Sequence, residues 1–247
     1  AVRETDTMDT FVDSSWYFLR FVSHDLRDAP FDTPRANDWL PVDEYVGGDE
    51  HAVMHLLYAR FVTKALADLG LLDHREPFDA VLTQGMVLGE DGAKMSKSGD
   101  NGVSPERIVD EYGADTARLF VLRAARPSTD FAWRAEGVRS SHRLLQQVYR
   151  TAMAVSAEPA SDPETAAGEY VTRETDATVA AATDAYDDLR FERAVREVES
   201  LFALLGRYRE RDDAEPGVVA RGLATVVRLL APIAPHVCEE GWRELGH

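Results

Sequence analysis

The chain has 247 residues, 45% of them hydrophobic, and a formal net charge of -17. That length and composition suit one large or two modest folded domains with a real core, and exclude a disordered chain. The acid excess, 44 against 27 basic residues, argues against a nucleic-acid partner at ordinary salt, because phosphate contacts need basic surface.

Residues 1–24 hold a mixed apolar and aromatic run, and by residue type its Phe11, Trp16, Tyr17, Phe18 and Phe21 read as core. Residues 28–41, with three prolines, read as loop. EYVGGDEH then reads as a short strand, a Gly-Gly turn, and acids (Asp49, Glu50) opening a helix at its positive end. The helix HAVMHLLYARFVTKALADLG places Val53, Leu56, Leu57, Phe61 and Ala65 on one face, with Gly70 as the stop. FDAVLTQGMVL reads as a buried strand. Strand, helix, strand predicts a parallel pair joined by a crossover. Further on, Ser104 caps a helix with Pro105 at its first position, Gly113 breaks it, and another helix begins near Asp115. RPSTDFAWR reads as a linker. Helices follow near 136–157, 170–188, 191–211 and 215–231, with a short one after Pro235. The expected organisation is an α/β part over 1–133 and an all-α part over 134–247.

Other features narrow the class. No run of about 18 apolar residues is present, so no membrane-spanning helix is expected. The N-terminus carries no signal-peptide pattern and starts without methionine, as an internal piece of a longer protein would. The single cysteine, Cys238, excludes an internal disulfide or a thiolate zinc cage and fits a reducing cytoplasm. High acidity with arginine preferred to lysine also suits concentrated salt, where screening reaches only about 3 Å at 1 M. A salt-rich source would weaken the charge argument against nucleic acid.

Lysine occurs only as Lys64, Lys94 and Lys97, and the last two share one loop, GAKMSKSGDN. A glycine-rich loop with ammonium groups can neutralise phosphates and close over them. The spacing is not that of a P-loop, and a solvated surface turn is the competing reading. Lysine retained in a chain that otherwise uses arginine favours a compact charge beside a pyrophosphate. In GGDEHAVMH, His51 and His55 are four apart. They admit a zinc site, two core histidines, or a small-molecule pocket. In the last, Gly47 and Gly48 let backbone approach a ligand and Glu50 accepts the hydroxyls of a ribose.

These pieces occur in order, and ETDTMDTFVDSSWYFLRF, YVGGDEHAVMHLLYARF, LTQGMVL and AKMSKSGDNGVSPERIVDEYGADTARLFVL together resemble the class I aminoacyl-tRNA synthetases. The leucine-specific, bacterial-type branch matches best, specifically from Glu4 to Trp133 and more loosely through the helical part. The resemblance implies the second half of a Rossmann-type catalytic domain followed by an anticodon-binding-type helical bundle. It implies activation of leucine by ATP, with Mg2+ carried by the nucleotide and no structural metal in this segment, then transfer to tRNA(Leu). Lys94 and Lys97 match the signature loop on the ATP phosphates. Gly48 and Glu50 fall at the ribose, and His51, Gln84 and the backbone of Met86 and Val87 near the adenosine. Phe11, Tyr17, Tyr45 and His55 match the leucine pocket, which moves Phe11 and Tyr17 from core to lining and sets the zinc reading aside. The family's His-Ile-Gly-His signature, the first half of its nucleotide fold and its editing domain have no counterpart in the sequence. An internal piece inactive alone is therefore expected, with the rest of the parent synthetase as a partner. Two other readings stay open: a tRNA-binding structural module, and a valine, isoleucine or methionine enzyme. Arg139, Arg143, Arg150, Arg190, Arg193, Arg196, Arg207, Arg209 and Arg211 are candidate phosphate contacts, against the alternative of solvated helix faces paired with acids.

Overall fold

A computed structural model describes residues 3, 5–95, 102–155, 159 and 161–247. The chain divides into two units, Ala1–Gly85 and Met86–His247.

The first unit opens with two short helices, α1 (Phe11–Ser14) and α2 (Tyr17–Phe21), then α3 (Thr33–Trp39). The stretch expected as loop thus contains a helix. Asp32 accepts the Arg35 amide with its side chain and Pro34 lies in the first turn, so the prolines start a helix rather than prevent one. Strand β1 (Val42–Gly48) leads through a 3-10 turn (Asp49–Val53) into α4 (His55–Asp68), and β2 (Phe78–Gln84) follows. The strands pair in parallel, from Val42 against Phe78 to Gly48 against Gln84, as the strand-helix-strand order predicts. Their carboxyl ends, Gly48 and Gln84, therefore lie side by side, at the end of a parallel sheet where ligands bind.

Three expectations for this unit change. The helix begins at His55, not at Asp49, because Met54 (φ -115°, ψ -99°) breaks the backbone between the 3-10 turn and α4. The buried stripe of α4 is His55, Ala59 and Thr63, whereas Val53, Leu57 and Phe61 are 79%, 59% and 70% exposed. Small side chains let α4 sit close to its neighbours, and the larger apolar face points outward. Strand β2 is mostly exposed rather than buried. The core here is small: Phe18, Leu19, Phe31, Ala36, Leu40, Ala59 and Leu72. Of the opening aromatic run, Phe18 is buried, while Phe21 is 69% exposed.

The second unit starts with β3 (Val87–Leu88), then α5 (Pro105–Tyr112), α6 (Ala114–Ala124) and β4 (Phe131–Ala132). The stretch expected as linker supplies β4, which pairs in parallel with β3. Ser104 caps α5 by accepting the Arg107 amide, and Gly113 turns the chain with φ +86°. Then come α7 (Ala135–Val155), α8 (Ala166–Asp187), α9 (Phe191–Arg209), α10 (Pro216–Leu230) and α11 (Pro235–Glu244). These are the five expected helices, with α8 starting four residues earlier behind its cap Thr165. One apolar cluster runs from Leu119 of α6 through Leu145, Val198, Leu205, Leu223 and Leu230 to Cys238. Burial pushes the Cys238 thiol up to about 12, so it serves as packing.

Candidate active site

In the first unit a cavity of about 370 Å3 opens at the carboxyl ends of β1 and β2. Helix α1 contributes Phe11 and Ser14, and α2 contributes Tyr17. Strand β1 supplies Tyr45 and Gly48, the 3-10 turn His51, α4 His55, and β2 Gln84. Seven residues singled out from sequence thus share one wall. Local geometry explains each placement. Tyr45 is anchored by stacking on Phe78, ring centroids 3.8 Å apart. Phe11 stacks on Tyr58 of α4 at 6.0 Å. The break at Met54 turns His51 so that its ring meets His55 edge-on at 6.3 Å.

A hydrogen-bonded chain runs along the wall. Tyr17 Oη lies 2.6 Å from Tyr45 Oη, which lies 2.6 Å from His55 Nε2. Burial, helped by the nearby His51, pushes the His55 pKa below the ordinary histidine value. Burial, followed by the bond to Tyr17, pushes Tyr45 above the ordinary tyrosine value. Both shifts favour the uncharged forms of His55 and Tyr45. The Nδ1 atoms of His51 and His55 are closed off from solvent and have no hydrogen-bond partner among the described residues. Such atoms are costly to leave unpaired, by about 1–3 kcal/mol each, and mark positions that an occupant can satisfy.

At Gly48 the Glu50 side chain occupies the space beside the backbone. A Cβ there would run into the Glu50 carboxylate, which folds back over it. Glu50 itself is exposed and is not part of the cavity lining.

The second unit holds the remaining candidates. The Met86 amide donates to Asp130 Oδ1 at 2.7 Å, and the Met86 carbonyl accepts from the Phe131 amide at 3.1 Å. The Leu88 carbonyl accepts from the Trp133 amide, so the pleat turns the peptide groups of Val87 toward the opposite edge. A tight turn follows, with the Gly89 amide donating to the Ala93 carbonyl at 2.8 Å and Gly92 at φ +75°. Lys94 closes this turn by bridging to Leu88. Lys97 lies outside the described residues. A larger cavity of about 660 Å3 beside the turn is lined by Glu90, Asp91 and Glu111 as well as Arg107 and Arg139. Its three carboxylates would repel a polyphosphate that its two arginines attract.

Sequence reasoning missed Ser14 and the Tyr17–Tyr45–His55 chain. Ser14 was legible, since it stands three residues from both Phe11 and Tyr17. The hydroxyl chain was not, because its members come from three elements that only folding brings together. Among the described residues no three His, Cys, Asp or Glu side chains cluster as metal ligands, and no helix is long and apolar enough to cross a membrane.

Fold and wall together define an α/β nucleotide-type unit followed by a helical bundle, and comparison with known proteins assigns the class. Residues 1–134 match the family model for class I tRNA synthetases (I, L, M and V), and residues 169–247 match that for the anticodon-binding domain of tRNA ligase. The chain belongs to the class I tRNA synthetases. Within that class it is 70% identical over all 247 residues to the leucine--tRNA ligase of Halobacterium salinarum, of which it covers 28%. It is 45% and 46% identical to those of Oleidesulfovibrio alaskensis and a Geobacter species, covering 31% of each. The chain thus spans less than a third of the length of these relatives. The salt-rich source expected from composition agrees with the Halobacterium relative. Among solved structures, the ternary complex of Agrobacterium radiobacter K84 agnB2 LeuRS with tRNA and LeuAMS aligns with a TM-score of 0.87 and 36% identity, over 99% of this chain and 33% of that one. Mycobacterium tuberculosis methionyl-tRNA synthetase in complex with methionyl-adenylate shares the fold, with a TM-score of 0.73 at 17% identity over 94% of this chain and 48% of that one.

Proposed function

We propose that this chain is the part of a leucine--tRNA ligase that holds leucine and adenosine and carries the phosphate-binding loop. It would act with the remainder of a longer protein to activate leucine with ATP and transfer it to tRNA(Leu) in the cytoplasm. The observation that carries this reading is the convergence of Phe11, Tyr17, Tyr45, His51 and His55 on one cavity at the carboxyl ends of a parallel strand pair. The 70% identity to a leucine--tRNA ligase supports leucine over valine, isoleucine or methionine. The division between the two functional domains falls near residue 133.

In the reaction, a carboxylate oxygen of leucine attacks the α-phosphorus of ATP. The bond to the bridging oxygen breaks, and pyrophosphate leaves with the electron pair. No side chain has to be a nucleophile. Phe11 and Tyr17 enclose the aliphatic side chain, and the neutral His55 wall does not repel the substrate ammonium. Gly48, lacking a Cβ, lets the ribose approach, with Glu50 accepting its hydroxyls. His51 and Gln84 border the adenosine, and the peptide groups of Val87, next to Met86, meet the adenine edge. Lys94 and Lys97 neutralise the charge developing on pyrophosphate, a role worth roughly 10²–10³ in rate for one well-placed donor. Mg2+ arrives on the ATP phosphates and lowers their charge. The aliphatic wall discriminates by only about 1–3 kcal/mol per methylene, so shape alone gives modest selectivity.

ATP–pyrophosphate exchange by the full-length protein, measured in high salt with leucine, isoleucine, valine and methionine in turn, tests the reading. Exchange is expected with leucine above the rest. Exchange driven best by another amino acid, or by none, contradicts it.

A further inference from the structure

We propose that Tyr45 is a positioning residue: through a relay of two phenol hydroxyls it fixes His55 in the tautomer whose Nε2 accepts and whose Nδ1 carries the proton. The relay itself is independent of the functional reading. Its consequence for leucine rests on that reading.

Three polar atoms stand in line, Tyr17 Oη, Tyr45 Oη and His55 Nε2, with 2.6 Å between successive members. Two directions of donation are available. In one, Tyr17 donates to Tyr45 and Tyr45 donates to Nε2. In the other, Nε2–H donates to Tyr45, Tyr45 donates to Tyr17, and the Tyr17 proton is left to find an acceptor. Each direction leaves one proton without a partner among the described residues, that of the enclosed Nδ1 in the first and that of Tyr17 in the second, so the strengths of the two bonds decide between them. Phenol is the stronger acid and imidazole nitrogen the stronger base, so O–H···N outweighs N–H···O. Donation in one direction polarises the second hydroxyl and strengthens its bond.

The surroundings hold this arrangement. His55 is 8% exposed, and the other titratable rings facing it are Tyr17, Tyr45 and His51, from α2, β1 and the 3-10 turn. None is a carboxylate that could stabilise an imidazolium. A hydrogen bond received at Nε2 belongs to the neutral ring alone and so disfavours a second proton. Stacking of Tyr45 on Phe78 fixes the donor hydroxyl, which makes Tyr45 the member that sets the tautomer. In the leucine pocket, the relay keeps the ring beside the substrate ammonium uncharged.

The test uses the 247-residue chain labelled with 15N-histidine. The His55 resonances are assigned by their loss in His55→Gln from the set of seven histidines. The wild-type chain is expected to show His55 with Nδ1 protonated and Nε2 bare. Tyr17→Phe is expected to leave that signature in place, since Tyr45 still donates. Tyr45→Phe is expected to move the proton to Nε2 or to mix the tautomers. Nε2–H in the wild type, or an unchanged signature in Tyr45→Phe, overturns the relay, and the wild-type spectrum decides even if a variant fails to fold. In the full-length protein, Tyr45→Phe should raise the KM for leucine in pyrophosphate exchange by about 10-fold, the worth of one hydrogen bond, with the KM for ATP little changed. An unchanged leucine KM beside a shifted tautomer overturns the positioning role. Absence of any leucine-driven exchange in the unmutated protein counts against the functional reading instead, and leaves the spectra to judge the relay.

Discussion

The two units carry different loads. Met86–His247 packs 21 described residues into one apolar cluster spanning α6, α7, α8, α9, α10 and α11, whereas Ala1–Gly85 buries seven in its cluster. Each fully buried aliphatic or aromatic side chain contributes about 1.5–3 kcal/mol, so the difference exceeds what length alone explains. The thinly packed unit nonetheless holds the cavity at the strand ends, with the orphaned nitrogens of His51 and His55. Polar atoms kept for a ligand are polar atoms not used for packing.

Four predictions probe this contrast. Leu223, fully buried at the centre of α10, should cost about 2–5 kcal/mol when changed to alanine, read as a lower denaturation midpoint in high salt. A smaller loss would mean that the bundle is not the stabilising unit. Lys94→Ala should lower leucine activation in the full-length protein by roughly 10² or more while leaving that midpoint alone. A change in stability without a change in rate would reverse the assignment.

The third concerns acid. The Glu215 carboxylate accepts from the Thr165 hydroxyl and the Glu164 and Thr165 amides, and Tyr208 bonds it as well. These bonds, the Thr165 hydroxyl first, hold its pKa below the ordinary glutamate value. A depressed folded pKa gives stability that is complete above the unfolded glutamate value of about 4.3 and is lost as pH falls through the folded value. Glu215→Gln should flatten that acid limb in the bundle's unfolding, and a limb that persists unchanged would assign it elsewhere. The smallest effect is expected in the first unit. Arg60 and Lys64 pair with Glu76 at 2.7 and 3.1 Å, but all three are substantially exposed. Glu76→Gln should leave the midpoint unresolved from wild type despite a carboxylate held near 2, because solvent screens the pair.

How far the sequence could be read follows the same division. The bundle helices were legible because each has one wet and one buried side, and Ser104 marked the start of α5 before them, whereas the cap Thr165 went unread and α8 begins four residues early. The first unit resisted. In α4 the large apolar residues Leu57 and Phe61 face outward while Ala59 and Thr63 face in, so hydrophobic periodicity pointed to the wrong side. The prolines of 28–41 hid a helix, and two-residue strands such as β3 and β4 are too short for any pattern. The residues that share the cavity were singled out by chemical type and order, Gly48 and His51 among them. What tied them together, the bond from Tyr17 across to Tyr45 and on to His55, depends on contacts between residues 28 and 10 apart in sequence.

Amide hydrogen exchange on the 247-residue chain in high salt, with and without a millimolar non-hydrolysable leucyl-adenylate analogue, tests the division of labour most directly. Added protection is expected around Tyr17 and across Tyr45–His55, with α8, α9 and α10 already protected and unchanged. Protection that appears in the bundle while Tyr45–His55 stays as open as before would contradict the account.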